Sequence, residues 1–191
     1  MEKLRNFLKR KDIVFSAKRY FIDAMGAMAQ GLFCTLLVGT ILDTIGKQFG
    51  IGFLTDTFLT ITQNKVTFYY TIGGFCSLMV GPAMAVAIGK ALEAPPLVLF
   101  SLITVGFATN VLGGTGGPLA VFFVAILAAE VGKAVSKETK IDILVTPVVT
   151  ILAGIGFAAL VARPIGAAAY SVGKAIMWAT ELQPFFMGIL V

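Results

Sequence analysis

The stretch that decides the fold is Pro95 to Lys133, PPLVLFSLITVGFATNVLGGTGGPLAVFFVAILAAEVGK. Two apolar runs, Leu97 to Leu112 and Leu119 to Val131, flank the cluster Gly113-Gly114-Thr115-Gly116-Gly117-Pro118. Four glycines in five residues permit backbone angles and close approaches that a Cβ forbids, so the chain turns or breaks there. Pro118 has no N–H to lose and suits the first turn of the next helix. The pattern predicts a helix, a glycine elbow and a second helix at membrane depth, where freed backbone groups can meet a solute.

Working outward, the whole chain shares this apolar character. It is 58% hydrophobic and 13% charged, with a mean hydropathy of +0.93, a balance foreign to soluble domains. Several runs reach the ~20 residues needed to cross ~30 Å of hydrocarbon. They are continuously apolar rather than alternating, which disfavours a β-barrel. The expected fold is all-α: a polytopic helical membrane protein with five or more spans and a broken or re-entrant Gly-rich segment. The first apolar run follows a long basic lead without a small-residue cleavage site, so no cleavable signal peptide is expected. Cys34 and Cys76 fall in predicted spans without metal-ligand spacing and read as buried structural thiols.

Charge divides the chain at residue 20. Residues 1–20 hold Lys3, Arg5, Lys9, Arg10, Lys11, Lys18 and Arg19 against Glu2 and Asp12, whereas the remainder is neutral. Leu4, Phe7, Leu8, Lys11, Val14 and Phe15 recur at helical spacing, so 1–20 is read as a basic amphipathic helix on an anionic membrane surface. Nucleic-acid binding is the rival reading. It is set aside, because cations beside a span are a topology signal.

The transmembrane domain is then 21–191. Its first span covers roughly Phe21 to Ile45, with Asp23 and Gln30 on nearly one face and Gly26, Gly31 and Gly39 offering close helix approach. Gly46 to Thr67 is too polar for a span, and Ile51 to Ile61 is assigned a half-helix or interfacial turn. The second span runs from Phe68 to Leu92, kinked at Gly81-Pro82. The third and fourth flank the elbow, and the fifth runs from Ile143 to a stop at Arg163-Pro164. Ile165 to Ala179 reads as re-entrant or interfacial. Pro184 to Val191 reads as an unfinished span, which suggests part of a longer protein. Four spans separate the two basic regions, the N-terminus and the Lys133–Lys140 loop, so both fall on one side, the cytoplasm.

A family resemblance follows from these residues. Val145 to Ala169, VTPVVTILAGIGFAALVARPIGAAA, is similar to the Pro-x-x-Thr … Gly … Pro-x-Gly pattern of phosphotransferase-system IIC permeases. The elbow and its following helix resemble the matching segment of those proteins. The opening, LKRKDIVFSAKRYFIDAMGAMAQGLF, resembles the IIC-like branch that includes PfoR-type regulators of toxin genes. The resemblance implies a multi-pass protein of a bacterial inner membrane. It also implies a homodimer, a sugar as solute and a cytoplasmic IIB-like partner that phosphorylates it, with no cofactor. Small-residue faces on the first, third and fifth spans point to the same dimer. The chain has no histidine and no IIB-like domain, so by itself it is not expected to be an enzyme. The alternative function is a membrane-embedded regulator without transport.

Candidate solute-binding residues are few. Asn110, just before the elbow, either hydrogen-bonds a sugar hydroxyl or caps the broken helix. Gly113, Gly114 and Thr115 supply the elbow backbone. Glu130 and Lys133 share a helical face and form either an interfacial pair with Lys133 snorkelling or a polar gate. Gln30, with Asp23, lines a polar path, unless Asp23 merely sits at the membrane boundary near Lys18 and Arg19. Thr146 and Thr150 either repair the hydrogen bonding that Pro147 disturbs or face the solute. There is no nucleophile with a base, no phosphate-cradling loop and no metal cluster.

Overall fold

The computed structural model describes residues 2–63 and 66–182. The expected span at Pro184 to Val191, and Asn64 and Lys65 of the polar loop, lie outside the described residues.

The chain opens with a short helix, α1 (Glu2–Arg10), which ends where Asp12 takes a left-handed φ of 51°. Lys11, Val14 and Phe15 therefore lie beyond the helix, and the expected stripe is cut after two turns. A single helical rod, Lys18–Phe49, follows. Its α-helical parts, α2 (Ala24–Leu32) and α3 (Val38–Phe49), are joined by wider π-helical turns at Lys18–Asp23 and Phe33–Leu37. Gly50, at φ 63°, stops it in the left-handed conformation that suits glycine.

The polar connection departs from the all-helical expectation. After one turn, α4 (Gly52–Thr55), it forms an antiparallel hairpin of β1 (Leu59–Gln63) and β2 (Val66–Tyr70). The register runs from Leu59↔Tyr70 to Gln63↔Val66. Thr, Ile, Val, Phe and Tyr favour strands, so Phe68 belongs to β2 and the next helix starts later than predicted. That helix is α5 (Ile72–Leu78), followed by α6 (Val80–Ala91). The two meet at Met79 with a 48° bend, just before the Gly81-Pro82 kink read from the sequence.

The elbow folds as expected. α7 (Pro96–Gly113) and α8 (Gly117–Val135) are joined by the tight turn Gly114–Gly116, with Gly114 at φ 51°. Pro96–Val135 is one continuous stretch by hydropathy, but its two arms are antiparallel. A Cβ on Gly132 would lie 2.8 Å from the Val98 side chain, whereas a straight helix would separate those residues by about 51 Å. Each arm is about 27 Å long, close to the thickness of a hydrocarbon core.

The last element, α9 (Asp142–Leu182), corrects the sequence reading. Pro164 neither ends it nor opens a re-entrant segment. The helix continues through both Pro147 and Pro164 for 41 residues, about 61 Å. Proline removes one hydrogen bond and one turn of packing, and in a membrane helix neighbouring groups can absorb that loss.

Three stretches, Lys18–Phe49, Pro96–Val135 and Asp142–Trp178, are long and apolar enough to cross a membrane, and the bent α5–α6 pair passes the same test. The core lies where α6, α7, α8 and the first half of α9 meet, around Met84, Ile88, Val98, Leu102, Val105 and Val124. Small residues set the approach of the helices within the chain. Cβ atoms at Gly31 and Gly39 would fall 2.7 Å from the carbonyl oxygens of Ala83 and Gly73. Gly81 and Gly106 likewise press on each other's carbonyls, and Gly166 on that of Gly113. Gly26 meets nothing within 4 Å. Cys34 is exposed and Cys76 only half-buried, so neither is the buried thiol expected.

Candidate functional site

The helices bring the predicted polar residues to four places rather than one. At the elbow, Gly113 is buried while Gly114 and Thr115 form an exposed tip. Asn110 is half-buried, and its side-chain oxygen packs directly on Gly117. Glu130 lies about 20 Å along α8 from that turn.

Thr146 and Thr150 are fully buried at the opposite end of the bundle. Thr146 donates its proton to Asp142 Oδ1 at 2.5 Å, and Thr150 donates to the Thr146 carbonyl at 2.8 Å. The carbonyl freed by Pro147 is that of Ile143, four residues earlier. Each hydroxyl has only one proton, so neither repairs that break. Thr150 Oγ1 also closes on Gly132 of α8, where a Cβ would come within 2.6 Å.

Glu130 and Lys133 form the centre of a charged knot. Lys133 does not snorkel: it is 1% exposed. Its Nζ donates to the carbonyl oxygens of Asp12 (2.6 Å) and Leu92 (2.9 Å) and lies 3.4 Å from Glu130 Oε2. Arg19 donates to the same Leu92 carbonyl at 2.8 Å and to the Asp12 carbonyl and carboxylate. Tyr20 donates its hydroxyl proton to Glu130 Oε1 at 3.1 Å. Leu92 is the C-cap of α6, where unpaired carbonyls and the helix dipole attract cations. Lys133 turns inward because the Asp12 and Leu92 carbonyls offer its ammonium hydrogen bonds there.

The knot fastens the N-terminal segment to the rest of the bundle. Arg10 and Lys11 both pair with Glu138 Oε1 at 2.6 Å, and Lys11 also donates to the Ser136 carbonyl. The Arg19 hydrogen bond, followed by the charges of Arg19 and Lys133, holds the Asp12 carboxyl below its ordinary range. Lys11 does the same for Glu138. Both basic regions of the sequence therefore close on one end of the bundle. The helical spacing of Glu130 and Lys133 was readable, but the sequence carries no signal for Asp12, Arg19 or Tyr20.

Gln30 lies elsewhere, on a polar groove of about 490 Å³ between α2 and α6. Asp23 and Gln30 line one wall, with Gly26 and Ala27 between them, and Lys90 stands on the other with Ala87 and Ala91. Small residues at 26, 27, 87 and 91 keep the walls apart, and the three long polar side chains are exposed. A carboxylate, a carboxamide and an ammonium together offer both donors and acceptors to a hydroxylated solute. The pairing of Asp23 with Gln30 was legible from their spacing; Lys90, near the end of the second expected span, was missed. Farther along the rod, Asp43 accepts a hydrogen bond from Thr71 at 2.9 Å. Among the described residues no three His, Cys, Asp or Glu side chains converge as a metal site.

A family model described as "Phosphotransferase system, EIIC" matches residues 22–191. No curated protein and no solved structure matches the chain. The match begins just after Asp12, Arg19 and Tyr20, so it covers the Glu130–Lys133 half of the knot but not the N-terminal half. It takes in the groove, the glycine elbow and all of α9. By the extent of that match, the chain belongs to the EIIC family of the phosphotransferase system.

Proposed function

We propose that the chain is a permease-type subunit that passes a small polar solute, of the sugar class, across a bacterial inner membrane. The groove between α2 and α6 carries this reading. Exposed Asp23, Gln30 and Lys90 are costly on an apolar helix surface unless they meet water or a polar ligand. A sugar's hydroxyls match that mixed set of donors and acceptors, and family membership supports the same class. No groove residue is a nucleophile paired with a base, so phosphorylation falls to a separate IIB-like protein.

In this reading each arm of the α7–α8 hairpin crosses the membrane. With Lys18–Phe49, the bent α5–α6 pair and α9, that makes five crossings. The end bearing the N-terminal segment and the 136–141 loop faces the cytoplasm, because most of the Lys and Arg residues gather there. Gln30→Leu and Lys90→Met test the proposal, since both side chains are exposed and neither contributes to the core. Losing one sugar hydrogen bond of about 1–2 kcal/mol weakens uptake or binding roughly tenfold. Unchanged uptake in both variants removes the groove from the pathway.

The docked N-terminal segment supports a second reading, a membrane-embedded regulator without transport. Neutralising Lys9, Arg10 and Lys11 would then abolish regulatory output while leaving membrane insertion unaltered.

A further inference from the structure

We propose that the basic end of the bundle is a binding site for one anionic phospholipid, with its phosphate in a pocket beside α8 and an acyl chain in the cleft next to it. The pocket, about 330 Å³, is lined by Arg10, Lys11, Lys133 and Lys137 against Asp12 and Glu93. Asp12 is already engaged by Arg19. Glu138 shows what the pocket attracts, since this one carboxylate draws in both Arg10 and Lys11. The ammonium of Lys137 has no carboxylate within ion-pair distance among the described residues. Lys137, two residues past the end of α8, sits at a left-handed φ of 62° and lines the pocket.

The second observation is an apolar cleft of about 340 Å³, lined chiefly by Phe15, Tyr20, Phe21, Phe122, Phe123 and Leu127. The cleft and the pocket adjoin along α8: Phe122, Ile126, Glu130 and Lys133 follow at intervals of four, four and three, one helical face. Phe15, 76% exposed, stands at the rim three residues after Asp12. Glu130, between the two, presents no free charge to the cleft, because it takes the Tyr20 hydroxyl and the Lys133 ammonium. A basic pocket and an aromatic cleft one helical turn apart on α8 suit a ligand with both a phosphate and a hydrocarbon chain. Basic pockets between helices at a membrane surface suit such headgroups. The cleft favours a lipid over a free phosphate or a phosphoprotein.

The inference rests on the reading that this end lies at a membrane surface. The test, however, is run in neutral detergent micelles and so depends neither on which side the end faces nor on transport. The full chain, stripped of lipid, is titrated with dioleoyl phosphatidylglycerol, dioleoyl phosphatidylcholine, glycerophosphoglycerol and inorganic phosphate. Binding is followed by native mass spectrometry and melting temperature. Phosphatidylglycerol should bind and raise the melting temperature, with the zwitterionic lipid much weaker and the two chain-free anions silent.

Two double variants at exposed positions keep the fold intact. Arg10→Gln with Lys137→Gln should weaken phosphatidylglycerol about thirtyfold, from ~1 kcal/mol per interfacial cation. Phe15→Ser with Phe123→Ser should weaken both lipids together. Equal binding of the two lipids, or wild-type affinity in the charge variant, would reduce the pocket to ordinary lipid contact and overturn the proposal. Chain-free anions binding as well as phosphatidylglycerol would overturn it in favour of a phosphate or phosphoprotein dock.

Discussion

Lys133→Met removes a charge from the most buried ion pair while keeping the length of the side chain. The two carbonyls that Lys133 serves are not orphaned: Leu92 O keeps Arg19 at 2.8 Å and Asp12 O keeps Arg19 at 3.2 Å. The group left exposed to the loss is Glu130, whose Oε2 has Lys133 at 3.4 Å and no hydrogen-bond partner. An uncompensated buried charge costs about 3–5 kcal/mol. Gln at position 130 is neutral and still accepts from Tyr20. Lys133→Met with Glu130→Gln should therefore be more stable than Lys133→Met alone, with a coupling of about 2–3 kcal/mol. Reversible unfolding in mixed detergent–SDS micelles, followed by far-ultraviolet circular dichroism, gives the four corners of the cycle. Additive effects, or a single variant within about 0.5 kcal/mol of wild type, would refute the knot as a buried charge network.

Glycines two residues apart in α9 should behave oppositely. Gly154→Ala places a Cβ 2.5 Å from Val105 and should cost about 1–3 kcal/mol, whereas Gly156→Ala meets nothing within 4 Å and should be neutral or stabilise by up to ~1 kcal/mol; melting curves in detergent distinguish them. Gly114→Ala, open in space but at φ 51°, should lower stability by about 1–2 kcal/mol through backbone strain alone. Docking of the N-terminal segment should respond to acid. Asp12 is held below its ordinary range, so its contribution is complete above that range and disappears as pH falls through the lowered value. A fluorophore on α1 should report release only as pH falls below the ordinary carboxylate range, and Asp12→Asn should loosen the docking already at neutral pH.

The hairpin and elbow were legible because hydropathy and glycine punctuation act locally: the runs on either side of Gly113–Pro118 had no other way to fold. The hairpin at Leu59–Tyr70 was written in the sequence too, in Thr-Ile-Thr-Gln and Val-Thr-Phe-Tyr-Tyr. It was passed over because the aromatic run was assigned to the following span. Pro164 misled because its cost depends on what surrounds α9, which lies outside the sequence window. The inward turn of Lys133 was illegible for a related reason. A lysine near a helix end snorkels unless acceptors are nearer, and those acceptors come from Asp12 and Leu92, 121 and 41 residues away. The candidate residues scattered over four places because polar character identifies a residue without saying which neighbours the packing will give it.

The glycine crossings have a mechanical consequence. Gly31 on Ala83, Gly81 on Gly106 and Gly113 on Gly166 are contacts of backbone with backbone. A slip of one residue would drive Leu32, Phe107 or Leu112 into a neighbouring main chain. α2, α6, α7 and α9 as far as Gly166 are thus keyed into one body. Gly39 on Gly73 keys α3 to α5 in a second. The chain passes between the two bodies twice, once at the π-helical turn Phe33–Leu37 and once at the 48° bend at Met79. Both passages fall between the Gly31 and Gly39 crossings, at one level of the structure. Two breaks in regular α-helix on a common level mark where these two bodies meet.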